Sequence, residues 1–65
     1  MTTAICTGSK ISVFTSFEDY EVVSKHQCHI SVKANDGVIW NIPHYEDTTY
    51  EVTDANGDKA IFVID

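Results

Sequence analysis

The chain has 65 residues and a mass of 7.3 kDa, with four Lys and no Arg against ten Asp and Glu, for a net charge of −6. A chain this short buries only about 60% of the surface its unfolded form exposes, so its core is small and an enclosed catalytic cleft is not expected. A hydrophobic fraction of 43% with 11% aromatics nevertheless supplies enough apolar surface to fold, which excludes a disordered chain.

At the N-terminus, Met1 to Thr7 lacks both a basic segment and an apolar stretch of signal-peptide length, so either an export signal was removed or there never was one, and a cytoplasmic protein is the simpler expectation. The longest apolar run, Ala60 to Ile64, is far below the roughly 20 residues that cross a bilayer, and no membrane partner is expected. All ten acids follow residue 16, where three lysines oppose them. Nucleic-acid affinity comes largely from Lys and Arg releasing counter-ions, so direct nucleic-acid binding is disfavoured.

In chain order, Lys10 to Phe14 alternates apolar and polar residues and predicts a first strand. Ser16 then offers an N-cap, Glu18 and Asp19 suit the positive end of a helix dipole, and Phe17, Tyr20 and Val23 recur at three-residue spacing. These features predict a short helix from Phe17 to His26. The same residues also support a strand through Tyr20, Val22 and Ser24, because the β-branched pair Val22 and Val23 disfavours a helix.

The next hairpin is predicted down to its register. A two-residue turn at Asp36 and Gly37 would set Val32 against Asn41 and divide the apolar side chains between faces. A three-residue loop, Asn35 to Gly37 with Gly37 left-handed, instead pairs Ala34 with Val38, Val32 with Trp40 and Ile30 with Ile42, all six toward one core. In the last hairpin Asn56-Gly57 suggests a type I′ turn pairing Asp54 with Lys59, Val52 with Ile61 and Tyr50 with Val63. That register leaves Phe62 and Ile64 on the other face, where they need a cover. The short helix or barrel closure supplies one; a partner protein or a second copy of the chain is the alternative interface.

Cys6 and Cys28 are either free thiols or a disulfide closing a loop of about 22 residues. One disulfide is sparse for a small secreted domain, which favours free thiols, with Cys28 buried at the start of its strand. His26, Cys28 and His29 form a cluster that, with Cys6 or His44, contains zinc-ligand types, but it lacks the second close ligand pair of a structural zinc site. No metal or other cofactor is expected. His26, Cys28 and Asp19 also contain the residue types of a thiol nucleophile with its base, yet no glycine-rich turn accompanies them. Two of the three glycines are consumed by turns, and the one left cannot build a phosphate loop; an enzyme is not expected.

The acids fall in groups: Glu18, Asp19 and Glu21 on the expected helix, Glu46 and Asp47 in a loop, and Asp54 and Asp58 at a hairpin tip. Such groups either keep a small domain soluble or imitate nucleic-acid phosphates toward a basic protein groove. Tyr45, beside Glu46 and Asp47, has the amphipathic aromatic character of an interface anchor, whereas Trp40 suits the core. The expected partner-binding set is therefore Glu18, Asp19, Glu21, Tyr45, Glu46 and Asp47.

Asp19-Tyr20-Glu21 and the run from His26 to Gly37, with Tyr50 to Ile64 as a later hairpin, resemble a family of small acidic inhibitors of the transcription terminator Rho. The segments Lys10 to Phe14 and Trp40 to Thr49 depart from that pattern. The resemblance implies an N-terminal helix, a strongly bent Sm-like sheet and occlusion of an RNA-binding site by acidic residues. Together these readings predict a mainly β, α+β domain: a five-stranded, partly open SH3/Sm-like barrel or bent antiparallel sheet with one short helix. Its expected role is that of a non-enzymatic regulator with a basic protein partner. Alternative roles are a general interaction or antitoxin-like module using Phe62 and Ile64, and a nucleic-acid-binding barrel stacking bases on Trp40 and Tyr45.

Overall fold

A computed structural model describes residues 2–64. Six antiparallel strands follow one another as β1 (Thr3–Ser9), β2 (Asp19–Lys25), β3 (His29–Lys33), β4 (Ile39–Glu46), β5 (Thr49–Thr53) and β6 (Lys59–Ile64). Each pairs with the next, and β6 returns to β1, closing the sheet into a barrel. Among the described residues there is no helix, so the expected five strands with one helix become six strands, and the partly open sheet becomes a closed one.

Two segments account for that correction. Phe17 to His26 is not helical; β2 runs through Asp19–Lys25, with Tyr20 buried and Asp19 and Glu21 exposed on either side of it. The two-residue period and the β-branched Val22 and Val23 prevail over the three-residue spacing, because β2 gains hydrogen-bonded neighbours on both sides, β1 and β3. Lys10 to Phe14 is not a strand but part of the long β1–β2 connection. There Ile11 and Phe14 are joined by a turn hydrogen bond, Phe14 N–H to Ile11 C=O at 3.0 Å, and both point inward. The missed strand is β1, whose inward residues Ala4 and Cys6 are small and give a weak alternation signal.

The β1–β2 connection plugs one end of the barrel. Phe14, 2% exposed, packs edge-on against Tyr20, Trp40 and Phe62 at centroid distances of 5.4, 5.3 and 4.9 Å. Aromatic pairs in this geometry add to the burial they accompany. Val13 C=O accepts the Asn35 N–H at 3.0 Å, Thr15 Oγ1 accepts from the Asn35 side chain at 3.1 Å, and Tyr20 Oη accepts the Thr15 N–H at 2.6 Å. These bonds tie the plug to the β3–β4 turn and to β2.

The β3–β4 hairpin adopts the register read from the sequence, with Ile30 opposite Ile42 and Val32 opposite Trp40. Ala34 N–H bonds Val38 C=O at 2.9 Å, and Gly37, at φ 85°, donates to Ala34 C=O at 3.0 Å. One of the six expected core residues, Val38, is exposed, because it lies next to the bulge at the mouth of the hairpin.

The β5–β6 hairpin differs from its expected register by one residue. Thr53 faces Lys59, Val52 faces Ala60 and Tyr50 faces Phe62. The turn is not type I′: Gly57 is left-handed at φ 86°, Asn56 is not, and the bonds Asp54 N–H to Asp58 C=O and Gly57 N–H to Asp54 C=O repeat those of the first hairpin. The Asp54 carboxylate selects this form by accepting N–H bonds from Asn56 at 2.9 Å and Asp58 at 2.8 Å. A one-residue shift exchanges the two faces of a strand. Ala60, Phe62 and Ile64 therefore point into the barrel, and Ile61 and Val63 point outward.

Candidate acidic surface

The expected partner-binding residues all lie on the surface, on two separate elements. Asp19 and Glu21 stand on the outer face of β2 because they flank the inward Tyr20, and Glu18 immediately precedes them. Glu46 closes β4, and Asp47, at φ 47°, opens the two-residue connection to β5; Asp tolerates that left-handed backbone better than most residues. Tyr45, 62% exposed, stands beside them. The two acidic groups occupy different strands, β2 and the end of β4 with its connection to β5, and β3 lies between β2 and β4 around the barrel. Glu18, Asp19 and Glu21 were expected on a helix; the strand found there keeps Asp19 and Glu21 on one face by its two-residue period.

Compensating charge is sparse. Among the described residues one ion pair forms, Lys59 Nζ to Glu51 Oε1 at 3.4 Å, on the outer faces of β6 and β5. Lys59 and Lys10, half of the chain's lysines, line a groove of about 480 Å³ with Gly8, Gly57, Asp58 and Ile61, where the end of β1 meets the β5–β6 turn.

Phe62 and Ile64, read as an alternative interface, are 0% and 5% exposed. Closure of the barrel covers them, and Tyr20 lies edge-on to Phe62 at 5.8 Å. Of the two covers expected within the chain, barrel closure forms and the helix carrying Phe17 and Tyr20 does not; the strand in its place sends Tyr20 inward and leaves Phe17 82% exposed. Trp40 is half-buried against Phe14, its indole N–H enclosed without an acceptor, so its ring is part of the packing rather than a free stacking platform.

The histidine and cysteine cluster spreads along the β2–β3 turn and the end of β4. His26 and His29 stack with centroids 4.4 Å apart, Ser24 Oγ lies 2.8 Å from His26 Nε2, and His44 Nε2 lies 2.8 Å from Asp47 C=O. Among the described residues no group of three or more metal-ligating side chains converges. Both cysteines are free thiols; Cys28, expected to be buried, is exposed, and Cys6 is the one enclosed in the barrel. Burial raises the Cys6 thiol above its ordinary pKa, partly opposed by its 3.6 Å hydrogen bond to Gly8 C=O.

Among the described residues no helix is long and apolar enough to cross a membrane. Set against protein-family models, curated proteins and solved structures, the chain matches none of them.

Proposed function

We propose that this barrel is a non-enzymatic regulator that binds a basic surface of a nucleic-acid-processing protein, its carboxylates standing in for phosphates. The observation that carries the reading is the pair of exposed acidic groups, Glu18-Asp19-Glu21 and Glu46-Asp47, in a chain of net charge −6 with a single ion pair among its described residues. Uncompensated carboxylates raise the local negative potential, speed encounter with a cationic groove and repel nucleic acid itself. On this reading the protein works in the cytoplasm, and an RNA-binding site such as that of the terminator Rho, suggested by the sequence resemblance, is the first partner to test.

The test measures RNA binding by Rho in the presence of the barrel and of a double variant, Glu46→Lys with Asp47→Lys. The expected result is competition by the native protein that weakens steeply with salt and weakens further in the variant. Melting temperature should hardly change, since exposed loop substitutions usually shift stability by under about 0.5 kcal/mol. Competition indifferent to salt and to the reversal removes phosphate mimicry. Direct binding of RNA by the barrel supports the nucleic-acid-binding alternative instead.

A further inference from the structure

We infer that Phe17 is the apolar anchor of a protein-docking surface on the outer side of β1 and β2, and that its occupant is a basic amphipathic segment of a partner protein, presenting an apolar face to the ring. The inference rests on the reading above and names a residue that the acidic groups alone do not.

Its first support is backbone geometry. Glu18 N–H bonds Thr15 C=O at 3.3 Å, closing a turn with Phe17 at its third position. Phe17 N–H bonds Cys6 C=O at 2.6 Å, while Cys6 N–H bonds Glu18 C=O at 3.0 Å, so Phe17 and Glu18 together face the single residue Cys6 on β1. This is a bulge whose first residue must be left-handed, a position that favours glycine. The chain places glycine at its two comparable positions, Gly37 at φ 85° and Gly57 at φ 86°. At Phe17, with φ 68°, it places a bulky aromatic residue instead. A bulky side chain with positive φ is an outlier, and such strain gathers at sites where it serves a function.

Packing does not compensate the strain, because the ring is 82% exposed. The hydrogen bonds that hold the turn use the backbone of residue 17, and glycine would supply them equally well. The aromatic side chain therefore serves something outside the barrel. Nearby on β1, Ile5 is 41% exposed and lies between Asp19 of β2 and Val63 of β6. An exposed apolar centre with Glu18, Asp19 and Glu21 at its rim has the composition of an interface with an aromatic anchor and a charged border.

The rim determines the occupant. Three acids beside the anchor call for a cationic surface. A second copy of the chain docked symmetrically would set these acids against their own counterparts, and like charges repel.

The test uses the full chain with two synthetic peptides, an amphipathic Lys–Leu peptide and an oligolysine of equal charge, with binding read by fluorescence anisotropy. Phe17→Gly should keep the fold and raise the melting temperature by roughly 4 °C, because glycine relieves the backbone. It should bind the Lys–Leu peptide about tenfold more weakly than the native chain while binding oligolysine equally well. Phe17→Asn, which also tolerates the left-handed position, should show the same selective loss. Equal binding of the Lys–Leu peptide by all three proteins, or no binding of it by the native chain, overturns the anchor. Failure of a Glu18→Lys, Asp19→Lys variant to weaken either peptide overturns the cationic-partner reading itself. A native dimer dispersed by Phe17→Gly in light scattering replaces the basic occupant with a second copy.

Discussion

Cys6 and Cys28 have the same chemistry in two environments. Cys28 is exposed beside the β2–β3 turn, so a thiol reagent should label it in the native protein, while enclosed Cys6 should react only after unfolding; mass spectrometry of a timed alkylation distinguishes the two. The same burial makes stability depend on pH in a definite direction. Folding holds the Cys6 proton above the ordinary thiol value of 9.0, so the unfolded chain releases its proton first as pH rises. Stability is thus intact below about pH 9 and is lost progressively as pH climbs toward the raised folded value. Denaturant titrations across that range should show the loss in the native chain and a smaller slope in Cys6→Ala, which has no thiol to ionise. The sequence reading buried Cys28 at the start of its strand and overlooked Cys6, because the small residues around Cys6 concealed β1 and with it the inward direction of the thiol.

At the scale of elements, turn chemistry governs the two hairpins. Gly37 and Gly57 occupy equivalent left-handed positions, and a Cβ built on either meets nothing within 4 Å, so a side chain there incurs only the backbone penalty. Gly37→Val should therefore destabilise by about 1–2 kcal/mol in chemical denaturation without disturbing the core. The β3–β4 register was legible because Ile30, Val32, Trp40 and Ile42 permit one arrangement that keeps their side chains on one face. The β5–β6 register was not legible by the same argument: β6 is apolar at every position from Ala60 to Ile64, and either register buries an apolar set. There the Asp54 carboxylate decides, through bonds to Asn56 and Asp58 that the Asn56-Gly57 pair does not reveal. β2 was misread for a related reason, since Phe17 looked like the first core residue of a helix and is instead the exposed corner of a bulge. The exposed acids, by contrast, were legible as surface residues whichever element carried them.

Over the whole molecule, barrel closure decides what is surface and what is core. In the closed sheet each strand pairs with two neighbours, so among the described residues there is no edge strand for another chain to extend. Closure also places Phe62 and Ile64 with Phe14, Tyr20, Ile30 and Ile42 in one core, which removes them from any docking face while the barrel is intact. With the interior occupied by apolar side chains, the acidic groups, Phe17 and Tyr45 lie on the outer surface.

The pairing of β1 with β6 sets Ala4 opposite Ile64, bringing the first and last strands of the chain side by side. The sequence order of the barrel is consequently one of several that the same architecture permits. A circular permutant that joins the two ends by a short flexible linker and opens the chain at Asp36 turns β6 and β1 into a local hairpin, leaving β3 and β4 to meet last. It should fold to the same barrel, with amide proton shifts preserved away from the new junctions. Its refolding should reveal, in stopped-flow kinetics, whether the closing pair limits the rate, because the search for the most distant contact has been moved from one seam of the barrel to another.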